Sequence, residues 1–220
     1  MATVPVIAVD GPSASGKGTV AQLVAESLRF HYLNSGALYR LVGLAALRHG
    51  VALDDEARLA EVSAGLQVDF RGGEILLEGE NVADRIQTED VAAGASRVAA
   101  LPLVRAALLD RQHAFRQPPG LVAEGRDMGS VVFPSAELKV FLTASAEERA
   151  QRRYKQLKQK GIAANIPDLL QDLRERDARD AARSAAPLKQ CPDARLLDTS
   201  AMSATDAAAT ILAWFRSVGG

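Results

Sequence analysis

The chain opens on an apolar run without alternation, VPVIAV from Val4 to Val9, that ends at Asp10-Gly11. Successive apolar positions need cover on both faces, which predicts a strand buried inside a parallel sheet. The loop GPSASGKGT follows, and Val20 to Leu28 carries helical spacing. Phe30 to Leu33 is a second short strand, Asn34-Ser35-Gly36 a turn, and Ala37 to His49 a helix that stops at Gly50. The middle of the chain differs. Leu66 to Val82, LQVDFRGGEILLEGENV, alternates and carries Gly72-Gly73 between two strand-like pieces, a hairpin signal that reads as a small inserted lobe.

Helical spacing resumes from Glu89 to Phe115 and breaks at Gln117-Pro118-Pro119-Gly120. Leu121 to Ala123 and Leu138 to Leu142 are further buried strands, and Arg195 to Leu197 is a last short one. Ser145 followed by Glu148 is a capping box that opens a basic helix. Gly161 to Pro167 interrupts, and a very polar helix runs from Asp168 to Ala185. Ser203 and Asp206 cap a final helix whose Ile211, Leu212, Trp214 and Phe215 are expected on the core. Strands alternating with helices predict an α/β fold with a parallel sheet covered on both faces.

The length of 220 residues suits one domain with insertions, or one large and one small lobe. Apolar residues at 48% and charged residues at 24% exclude disordered and fibrous classes. With 26 basic against 27 acidic residues, a polybasic binder of nucleic acid or membrane is not expected. No run approaches the ~18 apolar residues of a membrane span. The first residues lack the basic segment and apolar run of a secretory signal, so the cytoplasm is the expected location. A single cysteine, Cys191, excludes an intramolecular disulfide and a cysteine zinc site, and His31, His49 and His113 have no ligand spacing. The near-neutral charge conceals 20 arginines against 6 lysines. Arginine offers a rigid fork to carboxylate and phosphate, so the excess hints at an anionic ligand, although an arginine-rich codon bias would leave the same mark.

Gly11, Pro12, Ser13, Ala14, Ser15, Gly16 and Lys17 fit G-x-x-x-x-G-K, after a predicted strand and before a predicted helix. Such a loop turns successive N–H groups inward around a phosphate and adds the positive end of a helix. Lys17 is placed to bridge the β- and γ-phosphates of ATP. The hydroxyl that usually follows the lysine is replaced by Gly18, and Thr19 is the first one available. No Asn-Lys-x-Asp guanine reader is present, so small-molecule and nucleotide kinases are the natural class for this length.

A second anion site is suggested by arginines. Arg40 lies one helical turn beyond a tight turn, and Arg126 follows a buried strand where α/β folds bind ligands. Arg176, Arg179 and Arg183 are spaced to share one helical face, with Asp180 beside them; a solvated face laced with ion pairs would show the same spacing. Arg149, Arg152, Arg153, Lys155, Lys158 and Lys160 form a basic run with no acid among them. It reads either as a solubilising surface or as a lid that closes over the reacting phosphates and excludes water.

Together these stretches resemble the bacterial cytidylate kinases of the nucleoside monophosphate kinase family. The likeness rests on GPSASGKGT at 11–19, SGALYR at 35–40, ILLEGENVADRI at 75–86, VAEGRDMGSVVFP at 122–134 and RERDARD at 174–180, continuing through Arg183 to APL at 186–188. The resemblance implies a P-loop kinase with a five-stranded parallel sheet covered by helices. An inserted monophosphate-binding lobe carries a small antiparallel β element, and a helical lid completes the fold. Its boundaries would be core over 1–34, 101–148 and 169–220, lobe over 35–100, and lid over 149–168.

The implied reaction is Mg-ATP plus CMP or dCMP giving ADP plus CDP or dCDP; a UMP or AMP kinase, or an ATP-switched module without catalysis, are the alternatives. The resemblance puts ATP on Gly11 through Thr19. The acceptor phosphate falls to Ser35, Arg40, Arg126 and Arg183, with Gly125 beside them. Ser96, Arg105 and Asp127 would read cytosine, and Arg176 and Asp180 the sugar. Arg152 and Arg153 are the lid candidates, and Lys17, Arg126, Arg152, Arg153 and Arg183 the catalytic set. Mg²⁺ arrives with ATP, with no direct protein ligand expected and with Thr19 and Glu124 nearby. Asn34 stands where the family usually carries an acid. A monomer without nucleic acid or membrane partners is expected.

Overall fold

The computed structural model describes residues 4–71 and 74–218, which form two compact units, one built from the chain before Asn34 and after Ala114, the other from Asn34–Ala114.

In the first unit, β1 (Val6–Asp10) is buried at every position, as its unbroken apolar run requires. The loop after it feeds α1 (Lys17–Leu28), which ends at Arg29 in a left-handed conformation, and β2 (His31–Asn34) follows. The second unit then intervenes. Its strands and helices are β3 (Val68–Arg71), β4 (Glu74–Leu77), β5 (Glu80–Asn81), α2 (Ser35–Arg48), α3 (Glu56–Ala64), α4 (Glu89–Val98) and α5 (Pro102–His113). The first unit resumes with β6 (Leu121–Gly125), β7 (Leu138–Thr143), α6 (Ala146–Gln159), α7 (Ile166–Ala182), β8 (Arg195–Asp198) and α8 (Ala204–Val218). The five strands of this unit form a parallel sheet in the order β2-β6-β1-β7-β8. Val6 to Asp10 register with Leu121 to Gly125, and Ile7 to Asp10 with Leu138 to Phe141. The loops after β1 and β6 therefore leave the same edge side by side, at the end where such sheets bind ligands.

The core of this unit packs Val20, Ala21, Val24 and Ala25 of α1 and Ala207, Ala208 and Ile211 of α8 on Ile7, Val9, Val122, Val140 and Leu142. Fully burying a side chain such as Ile211 contributes roughly 1.5–3 kcal/mol relative to leaving it in water. Leu212, Trp214 and Phe215 close the edge of the same cluster, as their spacing predicts.

In the second unit α2 buries ten of its fourteen residues and packs on α4 and α3. A Cβ on Gly43 would sit 3.5 Å from the Ala95 nitrogen, so glycine lets α2 and α4 approach closely. The helical stretch read as continuous from Glu89 to Phe115 is two helices, because Pro102 opens α5 where its missing N–H costs nothing. α5 lies along α3 and buries Val104 and Leu108, so this unit extends to Ala114 and takes in residues past 100. The β element has three strands in the order β3-β4-β5, with Val68 opposite Leu77 and Arg71 opposite Glu74. The expected Gly72-Gly73 turn lies outside the described residues. A second turn at Glu78-Gly79, with φ of 54° and 84°, has the backbone that two-residue hairpins favour.

Three helix starts differ from the sequence reading: α1 opens at Lys17, three residues before Val20, and two others have a local cause. Asn34-Ser35-Gly36 is not a free turn: the Asn34 side chain accepts from the Ala37 N–H at 3.0 Å and caps α2. α7 begins at Ile166, two residues earlier than expected, because Asn165 caps it and Pro167 is tolerated in a first turn. Its end also differs, at Ala182.

Candidate functional site

The loop between β1 and α1 is shaped by its own residues and by arginines from elsewhere in the first unit. A Cβ on Gly11 would lie 2.0 Å from the Leu142 carbonyl oxygen, so the strand can leave the sheet there only as glycine. Ala14 and Gly16 adopt left-handed φ of 57° and 90°, which alternates the backbone and turns N–H groups toward a common centre. α1 starts at Lys17 with no side-chain cap and no acid in its first turn, leaving its positive end to a ligand. The Ser15 hydroxyl is fully buried and has no hydrogen-bond partner among the described residues, the mark of a group that awaits one.

The Lys17 ammonium donates to the Pro12 carbonyl at 3.1 Å and lies 3.9 Å from Glu124 at the end of β6. Burial, reinforced by the Arg126 charge, lowers its pKa to about 7, against the pull of Glu124. A Cβ on Gly18 would stand 3.3 Å from the Glu124 carboxylate and 3.7 Å from the Tyr32 hydroxyl. Those two groups, themselves hydrogen bonded at 3.3 Å, take the room a hydroxyl side chain would need, which accounts for glycine after the lysine. Thr19 is on the exposed side of the first turn.

Beyond β6 the chain enters a π-helical turn over Met128–Val132, closed by Val132 and Phe133 donating to the carbonyls five residues before them. The turn is held from β1. Asp10 accepts from the Met128 and Gly129 N–H groups at 2.8 Å each. Burial is the largest influence on that carboxyl and raises its pKa to about 6, against the two N–H donors and Arg126. Asp127 is buried at the head of the turn. Arg126 donates to Asp180 at 2.9 Å and to the Ser13 hydroxyl at 2.8 Å.

Asp180 also accepts from Arg183. Burial alone would raise its pKa, but Arg126 and Arg183 hold its carboxyl below the usual range, helped by Arg176. Arg176, Arg179 and Arg183 do not share one helical face. Arg183 follows the last turn of α7 with extended ψ of 134°, and Arg179 points to solvent, 3.9 Å from Glu175.

The basic helix α6 starts where the capping box predicts, with the Glu148 N–H donating to the Ser145 hydroxyl at 3.2 Å. Its first arginines are not surface groups. Arg149 is 5% exposed and donates to the Ala144 and Ser13 carbonyls and, through a double contact of 3.1 and 2.6 Å, to Asp177. Arg152 donates to the Ser15 carbonyl at 2.9 Å, to Thr199 and to Glu148. Arg153 is half-buried and reaches Gln156.

In the second unit Ser35 is the buried first residue of α2, and Arg40 donates to the Ile86 carbonyl. Arg105 stacks over Tyr39, 5.6 Å from the ring centre, and donates to the Ala99 carbonyl at 3.0 Å. Ser96 is half-buried on α4.

Sequence reasoning missed Asp10, Tyr32, Tyr39, Asp177 and Thr199 and took Arg149 only as part of a run. The partners of Arg149 lie 28 and 136 residues away, a separation that no local spacing reveals.

A family model described as cytidylate kinase matches residues 7–217. A cytidylate kinase from Chromobacterium violaceum is 60% identical over 214 residues, spanning 97% of this chain and 96% of its own. One from Burkholderia ambifaria (strain MC40-6) is 59% identical over 215 residues, spanning 98% and 94%. Among solved structures, a gluconokinase from Sinorhizobium meliloti 1021 superimposes with a TM-score of 0.51 at 17% identity, covering 99% of this chain and 95% of its own, a likeness of fold alone.

Proposed function

The chain belongs to the cytidylate kinase family, and from that premise we propose how its residues move a phosphoryl group from ATP to CMP or dCMP, giving ADP and CDP or dCDP. The observation that carries the reading is Arg126. One guanidinium touches the Ser13 hydroxyl of the ATP loop and the Asp180 carboxylate on α7, so a cation stands where donor and acceptor phosphates would meet.

Gly11 through Thr19 hold the ATP phosphates, with the inward N–H groups and the Ser15 hydroxyl as donors. Lys17, poised near neutrality, takes a full proton once phosphate oxygens replace its lost hydration. Arg126, Arg183, Ser35 and Arg40 bind the acceptor phosphate, with Gly125 at the strand end; Arg176 and Asp180 contact its sugar. Phosphoryl transfer needs position and charge neutralisation more than a strong base. Lys17 and Arg126 supply both around the transferring group, and Arg152, Arg153 and Arg183 complete the set. Residues 149–168 act as the lid.

The donor set fits Mg²⁺ carried in on the nucleotide. Glu124 is a buried carboxylate facing the first turn of α1, and few direct protein ligands suit an ion that keeps its water. When bound there, Mg²⁺ neutralises charge on the phosphate oxygens, with Glu124 and Thr19 as the residues to hold its water shell.

Cytosine presents an amine donor beside two acceptors. Asp127 and Ser96 accept from the amine, and Arg105, fixed by Tyr39, donates to the acceptors. Uracil reverses two of these positions, a mismatch of about 1–3 kcal/mol. The reading takes the enzyme as a cytoplasmic monomer working on free nucleotides. An assay of ADP release with CMP, dCMP, UMP and AMP tests it: the two cytidine nucleotides are to be turned over at least tenfold faster, and equal rates with all four overturn the base assignment.

A further inference from the structure

Five charged or polar contacts in the first unit close into a ring. Arg126 donates to the Ser13 hydroxyl, and its Nε to Asp180. Asp180 and Asp177 lie three residues apart on α7, hence on one face. Asp177 accepts both ends of the Arg149 fork, and Arg149 returns to Ser13 through its carbonyl at 3.1 Å. One residue of the ATP loop is thus gripped twice, by its hydroxyl and by its carbonyl. The two arginines doing so are anchored one turn apart on the same helix.

We infer that Arg149 and Asp177 are positioning residues that couple the two nucleotide subsites, so that filling the ATP loop tightens binding of the acceptor and the reverse. The inference rests on the functional reading above, because it takes Arg126, Arg176 and Asp180 as acceptor contacts.

The physical argument has two parts. Arg149 is 5% exposed, so its pair with Asp177 is poorly screened and fixes the distance between α6 and α7. A phosphate drawn onto the ATP loop sets the orientation of Ser13. Ser13 cannot turn without changing its carbonyl contact to Arg149 or its hydroxyl contact to Arg126. Either change reaches α7, which presents Arg176 and Asp180. Coupling between two sites is reciprocal and ordinarily amounts to 5–150-fold. Asp177 has no contact with either nucleotide in this scheme. Removing its charge therefore leaves each subsite built and loosens only the link between them.

The test uses the full chain and calorimetric titration with a non-hydrolysable ATP analogue. The acceptor is whichever nucleoside monophosphate the wild-type chain phosphorylates fastest. The wild type should bind the acceptor about tenfold more tightly with the analogue present than without it. In Asp177→Asn the two affinities measured singly should change less than twofold, while their mutual enhancement falls to below threefold. Arg149→Lys, which keeps the charge and loses the fork, should lower the mutual enhancement to the same level, and the double variant should lower it no further than either single one, as expected of one shared contact. In turnover, both variants should show a raised KM for the acceptor only at saturating ATP. No enhancement in the wild type, or undiminished enhancement in a folded Asp177→Asn, overturns the coupling. A proportional weakening of each single affinity also overturns it, because a purely structural role predicts that pattern. Preference for UMP or AMP overturns the base assignment and leaves the coupling measurable, and a chain that phosphorylates none of them overturns both.

Discussion

Replacing Asp10 by asparagine should abolish a specific part of the pH dependence of stability. Burial raises the Asp10 pKa from 3.8 to about 6. Between those values the folded chain holds a proton that the unfolded chain has released, so stability falls as pH rises. The contribution is complete below pH 3.8 and lost above about 6. A shift of about 2 units at 1.36 kcal/mol each comes to about 3 kcal/mol. The carboxamide of Asp10→Asn would not titrate. It keeps one oxygen for one of the two N–H groups of Met128 and Gly129 and sets an amide NH₂ against the other. That mismatch costs on the order of 1–3 kcal/mol at every pH and cancels in a comparison across pH. Urea unfolding at about pH 4 and pH 7.5 should therefore show the variant gaining about 2.5 kcal/mol on the wild type as pH rises, since at pH 4 the unfolded carboxyl is already partly ionised. Trp214, the single tryptophan, lies on α8 and gives a fluorescence signal confined to the unit that holds Asp10. Parallel stability curves would refute the reasoning.

Lys17→Met should remove turnover by at least a hundredfold while the chain unfolds with an unchanged cooperative transition; activity within tenfold of wild type would take Lys17 out of the mechanism. Because Lys17 has a pKa of about 7, ATP binding at pH 8 should take up close to one proton, seen as a dependence of calorimetric heat on buffer ionisation. That uptake should vanish near pH 5.5 and in Lys17→Met. A Cβ on Gly120 would fall 2.4 Å from the Phe30 ring, which packs edge-on against Phe215 at 5.8 Å. Gly120→Ala should lower stability by about 1–3 kcal/mol in urea unfolding, without changing the ratio of CMP to UMP turnover.

The parts of the fold legible in the sequence are those fixed by neighbours in the chain. The unbroken run ending at Asp10, the Ser145 capping box and the Gly-rich loop each carry their cause within a few residues. Helix starts were harder where a residue has two uses. Asn34 and Pro167 both favour turns, and both also serve the first turn of a helix, so the choice fell to packing further along. At the site, Lys17 and Arg126 could be placed from the strands that precede them. Arg149 could not, since the six basic residues between 149 and 160 look alike until Asp177 and the Ser13 carbonyl single out one of them. Asn34 is similar: as the acceptor that caps α2 it does what an aspartate there would do, minus the charge.

Three carbonyls of the ATP loop, those of Pro12, Ser13 and Ser15, are each taken by a cationic side chain, Lys17, Arg149 and Arg152 respectively. With these oxygens engaged, the course of the loop is set before any phosphate arrives, and the orientation of Ser13 is what the phosphate still adjusts. The conformational entropy of forming the cradle is then lost during folding and does not weaken nucleotide binding. Association needs no folding of the loop beyond that adjustment, and differences in affinity among triphosphates should appear as differences in residence time.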